Sequence, residues 1–231
     1  MIDTAIILVG GRGTRLGALT EKTPKPLLTV AGRPFIFHIL DYLIRQQIKK
    51  VILATGYLAD EFEQVLGSEY RGVSLAYSYE ATPLGTGGAV TQALAPIAAS
   101  NVLVLNGDTY FPVNLSELSK AHGSRRISLS MVLRHILDVS RYGHISVSRG
   151  IVDAMHEKGL SGPGLINGGI YLINRMAFLA DAPAGPFSLE RDLLPRWISS
   201  QTVAYTTADC YFIDIGVPAD LARAQHDLAE L

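Results

Sequence analysis

In the first half of the chain, short apolar runs bounded by turn residues alternate with segments of helical period, a pattern best buried by a layered α/β fold. The runs are Ala5 to Val9, Lys50 to Ala54, Val73 to Tyr77 and Asn101 to Leu105, and between them helices are expected over Pro34 to Gln47, Asp60 to Leu66 and Thr86 to Leu94. In the first helix Phe35, Ile36, Ile39, Leu40, Leu43 and Ile44 share one face, and Pro34 sits where a first turn tolerates a missing donor. Repeated β-α-β units imply a mostly parallel sheet with helices on both faces. After about residue 125 strands follow in succession: Ile127 to Leu133, His144 to Val147, Ile151 to His156 and Leu165 to Ile173. Helices are expected over Ser188 to Ile198 and Pro218 to Leu228, with a short strand Tyr211 to Ile215 before the last. This half reads as mixed sheet. With no repeat, linker or low-complexity tract, the 231 residues are expected to form one domain.

Charge and cysteine usage narrow the partners. A net charge of -1 and a pI near 6.6 give no global basic field, so a phosphate-rich ligand must be held by local Lys, Arg and backbone amides, and nucleic acid is not an expected partner. The single Cys210 cannot form an intrachain disulfide, and the start of the chain runs straight into Ala5–Val9 without a basic region or cleavage site, so the cytoplasm is the expected compartment. No apolar run approaches the roughly 20 residues of a membrane-spanning helix. No membrane partner is therefore expected, and a mean hydropathy of +0.24 reads as buried strands.

Gly10-Gly11-Arg12-Gly13-Thr14-Arg15-Leu16 follows the first strand directly, where glycines can turn successive backbone N–H groups toward an anion. It is neither a dinucleotide fingerprint, which needs glycine where Leu16 stands, nor a P-loop, which needs Gly-Lys-Ser/Thr. Thr23-Pro24-Lys25-Pro26-Leu27 lies ten residues on. The composite Gly-Gly-x-Gly-Thr-Arg-Leu…Pro-Lys-Pro resembles the signature of the sugar-phosphate nucleotidyltransferase family, with Val9 where that family commonly has alanine. The resemblance implies a Rossmann-like α/β fold of the nucleotide-diphospho-sugar transferase type. It makes residues 1–125 mainly nucleotide-binding and 126–231 mainly a sugar-binding lobe that carries the second metal ligand. It places Val9, Gly10, Gly11, Gly13, Thr14 and Arg15 around a nucleoside triphosphate, with Arg15 on the phosphates and Lys25 near the α-phosphate. Cations aimed at reacting oxygens are what such a transfer requires.

An apolar strand, Val102 to Leu105, delivers Asn106-Gly107-Asp108 at the edge where open α/β sheets place ligands. Phe212-Ile213-Asp214-Ile215-Gly216-Val217-Pro218 sets a second carboxylate among apolar neighbours, where it needs a partner. In the family resemblance Asp108 and Asp214 share one Mg²⁺, and Mg²⁺ on phosphates usually takes one or two carboxylates.

Tyr79-Glu80-Ala81-Thr82-Pro83-Leu84-Gly85-Thr86-Gly87-Gly88-Ala89 resembles the family's base-recognition segment, which implies contacts from Glu80, Pro83, Gly85 and Thr86. A carboxylate only accepts hydrogen bonds, and guanine presents adjacent N1–H and N2–H₂ donors, so Glu80 favours GTP over UTP or dTTP. For the sugar, the order Tyr142-Gly143, His156-Glu157-Lys158 and Asn167-Gly168-Gly169-Ile170-Tyr171 is similar to the family's acceptor site. By resemblance the acceptor, a sugar 1-phosphate, meets Asn106, Gly107, Gly143, Glu157, Lys158 and Asn167, with Gly159 replacing the usual proline after Lys158. His38, His122, His135, His144, His156 and His226 have no ligand spacing and receive no catalytic role.

Within the family, Gly32-Arg33-Pro34-Phe35 and Leu105-Asn106-Gly107-Asp108-Thr109 look most like the enzymes that charge heptose 1-phosphates with GTP. Mannose 1-phosphate guanylyltransferases and single-domain uridylyltransferases are the neighbouring alternatives. A catalytically silent nucleotide-sugar sensor is the non-enzymatic one, against which the joint presence of Arg15, Lys25, Asp108 and Asp214 argues. A homo-oligomeric state stays open.

Overall fold

The structure is a computed structural model that describes residues 2–11, 13–123, 127–156 and 158–230. Along the chain, β1 (Thr4–Leu8) leads through the glycine loop and a 3₁₀ segment, Thr14–Thr20, to α1 (Phe35–Arg45), β2 (Lys50–Thr55) and α2 (Ala59–Leu66). Then come β3 (Glu69–Tyr70), β4 (Val73–Tyr79), α3 (Gly85–Leu94), β5 (Asn101–Asn106) and α4 (Leu115–Gly123). The second half supplies β6 (Leu129–Ile136), β7 (Ile145–Ser148), β8 (Ile151–Met155), β9 (Gly164–Asn174), α5 (Arg175–Asp181), α6 (Leu194–Ser199), β10 (Val203–Thr207) and α7 (Pro218–Asp227).

These strands form one ten-stranded sheet in the order β7-β8-β10-β6-β9-β5-β1-β2-β4-β3. β5, β1, β2 and β4 run parallel to one another, whereas β9 is antiparallel to both β5 and β6. The sheet is mixed, as the change of pattern after residue 125 predicts. Alternation along the strands sends side chains to two cores. Ala5, Ile7 and Leu105 pack with Phe35, Leu40 and Phe62 from α1 and α2, while Ile6, Val102 and Val104 pack with Val90, Phe178 and Trp197 from α3, α5 and α6. Both faces are thereby covered by helices.

From β1 the chain winds outward through β2 and β4, then returns to the other side of β1 with β5. The β1/β5 boundary is thus a topological switch point, and outside its carboxyl edge a crevice opens. Three backbone bonds knit that edge: Gly107 N–H to Leu8 O (2.9 Å), Val9 N–H to Ala54 O (3.0 Å) and Glu80 N–H to Thr55 O (2.9 Å).

Several expectations need adjusting. Pro34 is the cap residue before α1 and pairs within a two-stranded ribbon, Thr29–Val30 with Arg33–Pro34, because its ψ of 135° is extended and not helical. The helix expected over Ser188 to Ile198 is a π-helical turn, Leu189–Leu193, followed by α6, and the late strand shortens to Ile213–Asp214, paired with Thr109–Tyr110. The strand expected from Ile127 begins at Leu129 and extends to Ile136. α4, α5 and β10 were not anticipated from the pattern.

Candidate active site

A cleft of about 1000 Å³ opens at the switch point. Val9, Gly10, Gly11, Arg15, Lys25, Glu80, Pro83, Gly85, Thr86, Asn106, Asp108, Gly143, Lys158 and Asn167 all line it. Residues more than a hundred positions apart converge because β1, β4 and β5 end at this edge and β9 begins there.

At the glycine loop, Gly13 caps the 3₁₀ segment, and the Thr20 hydroxyl donates back to Gly13 O (3.1 Å) and Gly17 O (3.2 Å), fixing the loop over Lys25. Lys25 is 8% exposed, and its ammonium donates to Asp108 Oδ2 at 2.8 Å. Asp214 enters from the neighbouring ribbon, where Ile215 N–H donates to Asp108 O (2.9 Å), and its Oδ1 accepts from Gly216 N–H at 2.7 Å. Burial raises the proton affinity of Asp214 above the usual carboxylate range and the negative charge of Asp108 adds to it; Gly216 N–H, Lys25 and Arg15 pull the other way. Arg15 stands over the same spot, since a Cβ placed on Gly216 would lie 3.0 Å from Arg15 Nη2 and 2.8 Å from Asp214 Oδ1. Two cations and two carboxylates therefore meet below the glycine loop.

Glu80 stands beside the glycine loop. Its Oε2 accepts from Leu84 N–H at 2.8 Å, while Oε1 lies so close to the glycine loop that a Cβ on Gly10 would approach it to 2.8 Å. Burial raises its proton affinity, opposed by the Leu84 bond. Where β9 enters the cleft, Asn167 Nδ2 donates to Tyr171 Oη (2.6 Å) and its Oδ1 accepts from Gly169 N–H (2.9 Å). Asn106 packs against the same glycine from β5.

Some predicted residues are placed differently. Gly13, Thr14, Gly107 and Asp214 are not in the cleft lining; Thr14 lines a smaller pocket of about 260 Å³ with Gly17, Thr20, Glu21 and Tyr57. The N–H of Gly107 is committed to Leu8 O and that of Gly143 to Val139 O (3.1 Å), so neither amide is a free donor to a ligand. The Thr86 hydroxyl donates to Glu190 Oε2 at 2.7 Å. Glu157 lies outside the described residues. Gly56, Tyr57 and Glu190 also line the cleft and were not singled out in the sequence. Gly56 could have been found as the glycine directly after β2, at the ligand edge; Glu190, inside an expected helix, carried no such signal.

The chain belongs to the Nucleotidyl transferase family, which it matches over residues 4–230. It is 39% identical over 224 residues to the D-glycero-alpha-D-manno-heptose 1-phosphate guanylyltransferase of Aneurinibacillus thermoaerophilus, covering 97% of each chain. It is 40% identical over 217 residues to the enzyme of that name from Campylobacter jejuni, covering 94% of this chain and 96% of the relative. The crystal structure of HddC from Yersinia pseudotuberculosis complexed with GMP-PN superposes with a TM-score of 0.88 at 32% identity, covering 98% of this chain and all of the other. Among the described residues no helix is long and apolar enough to cross a membrane.

Proposed function

We propose that this chain transfers the guanylyl group of GTP to a manno-configured heptose 1-phosphate, giving a GDP-sugar and pyrophosphate. The observation that carries the reading is the pairing of buried Lys25 with half-buried Asp108 beside Asp214 and Arg15, beneath a glycine loop at the sheet's switch point. A phosphate oxygen of the sugar 1-phosphate attacks the α-phosphorus in line and the β,γ-pyrophosphate leaves, so no covalent enzyme intermediate is required. Lys25 and Arg15 supply fixed positive charge to the oxygens on which negative charge grows, in a partly desolvated setting where each cation counts for more than in water. Lys158 holds the acceptor phosphate. Glu80 offers carboxylate oxygens to guanine N1–H and N2–H₂, held in place by Leu84 N–H.

The residues fit a divalent cation. Among the described residues no three His, Cys, Asp or Glu side chains form a metal cluster, so the donor set is the two carboxylates of Asp108 and Asp214, the number Mg²⁺ takes when phosphates supply further oxygens. Burial next to another carboxylate raises the proton affinity of Asp214, and a bound cation would remove that penalty. When bound, Mg²⁺ would neutralise charge on the phosphate oxygens. The names of the two heptose-specific relatives support the acceptor, and the half-buried free Cys210 accords with a cytoplasmic setting.

The base assignment is tested by comparing GTP with inosine triphosphate, which lacks the exocyclic amine. GTP should have the higher kcat/KM by about tenfold, the value of one hydrogen bond to a charged acceptor. Glu80→Gln should narrow that gap. Equal kcat/KM for GTP and UTP in the unmutated chain would overturn the guanine reading.

A further inference from the structure

Asn167 stands where β9 loses its pairing with β6: the register shifts between Asn167 and Tyr171, and Gly169 takes a φ of 71°. Both ends of its amide are engaged, Oδ1 by Gly169 N–H and Nδ2 by Tyr171 Oη. Tyr171 is fully buried, and its hydroxyl donates onward to Glu190 Oε1 at 3.3 Å. The other oxygen of Glu190 accepts from Thr86 at 2.7 Å and from Ser188 at 3.2 Å. A continuous polar chain thus runs from Asn167 through Tyr171 to Glu190 and on to Thr86, joining the wall built by β9 to the first turn of α3.

The direction of every proton in this chain follows from its end. A carboxylate can only accept, so the Tyr171 hydroxyl points its proton at Glu190 and turns a lone pair toward Asn167. That lone pair calls for the nitrogen side of the Asn167 amide, which in turn sends Oδ1 to Gly169 N–H. A free asparagine amide can rotate by half a turn and exchange donor for acceptor; this one is held in a single orientation. Among the described residues the second N–H of Asn167 has no acceptor, and Asn167 lines the cleft.

We infer that Glu190 and Tyr171 are positioning residues that lock the Asn167 amide, so that it presents an N–H donor to an oxygen of the acceptor sugar. The inference rests on the sugar 1-phosphate reading above. It assigns Glu190 a role exerted through Tyr171 and Asn167, without contact with the reacting atoms.

The test is steady-state kinetics by pyrophosphate release, with GTP and whichever sugar 1-phosphate the unmutated chain uses best, on Tyr171→Phe, Glu190→Gln, Asn167→Ala and the two double variants containing Asn167→Ala. Tyr171→Phe and Glu190→Gln should each raise KM for the sugar 1-phosphate by about five- to tenfold, with KM for GTP changed less than about twofold. In the Asn167→Ala background neither should add a further increase, because the group they orient is gone. Should Tyr171→Phe fail to fold, Glu190→Gln completes the same cycle. Effects that multiply with Asn167→Ala, an equal rise in KM for GTP, or unchanged sugar KM would overturn the inference while leaving the functional reading intact. An unmutated chain that released no pyrophosphate with any sugar 1-phosphate would overturn both.

Discussion

Lys25 Nζ and Asp108 Oδ2 lie 2.8 Å apart although 83 positions separate them, and in this structure the ammonium is the cation that neutralises the Asp108 carboxylate. Lys25→Met keeps most of the side-chain length and removes the charge. It should lower kcat/KM for pyrophosphate release by about 10²- to 10³-fold, the usual cost of one preorganised charge stabiliser. A loss below about tenfold would remove Lys25 from the reacting centre.

Asp214 should separate activity from stability. Burial and the neighbouring Asp108 carboxylate raise its proton affinity, so its charged form costs folding free energy. Asp214→Asn keeps an oxygen to accept from Gly216 N–H and deletes that charge. The variant should be nearly inactive and yet unfold in denaturant titrations at pH 7 with a higher free energy than the unmutated chain. The raised pKa fixes the sign of the pH dependence: the penalty is fully present above the folded-state pKa and disappears as pH falls below it, so the gain should shrink on acidification. An active variant, or one less stable at pH 7, would contradict this description of Asp214.

At Gly85 the backbone takes a φ of 72°, and a Cβ would fall 2.5 Å from Phe187 O. Because Gly87 N–H donates to that same carbonyl (3.0 Å), the oxygen cannot easily withdraw. Gly85→Ala should destabilise the fold by about 2–4 kcal/mol, read as a shift in the denaturant midpoint. A change below 1 kcal/mol, on the scale of a surface substitution, would show that the Phe187 segment yields.

His122 predicts an acid limb of stability. It is 5% exposed between Ser130 Oγ (3.0 Å) and Asn101 Oδ1 (3.2 Å), and burial pushes its pKa down to about 4. Between pH 6.5 and 4 the unfolded chain binds a proton that the folded chain refuses, so stability falls as pH falls, by up to about 3 kcal/mol, and this loss is complete below pH 4. His122→Gln should flatten that limb in denaturant titrations run across the window, leaving the smaller share of His38, whose pKa burial also lowers. An unchanged slope would show that the unfolded and folded chains protonate His122 alike.

The longer strands β1, β2, β4 and β5 and the helices α1 to α3 were legible because period-2 and period-3.6 patterns there are long and cleanly bounded, whereas β3 and the ribbon of Thr29–Val30 with Arg33–Pro34, two residues per strand, are too short to show a period. α4 and α5 were not legible: Leu115–Gly123 buries only Leu115, Leu118 and His122, and Arg175–Asp181 buries only Phe178, too few apolar positions to mark a face. β10 was missed because Val203–Thr207 has just two buried residues, Val203 and Ala204, at its start. In the cleft, residues within contiguous motifs, such as Lys25 and Asp108, could be read from the chain. Glu190 could not, because its meaning depends on Thr86 and Tyr171, which approach it only once α3 and β9 have packed.

Guanylyl transfer to a sugar 1-phosphate is measured most directly as pyrophosphate release by the unmutated chain with Mg²⁺. The assay crosses GTP, UTP, dTTP, ATP and CTP with D-glycero-α-D-manno-heptose 1-phosphate, mannose 1-phosphate and glucose 1-phosphate. The expected result is the highest kcat/KM for GTP with the heptose 1-phosphate and no release when Mg²⁺ is chelated. Faster turnover of mannose 1-phosphate would contradict the acceptor assignment alone, and no release with any pair would contradict the account as a whole.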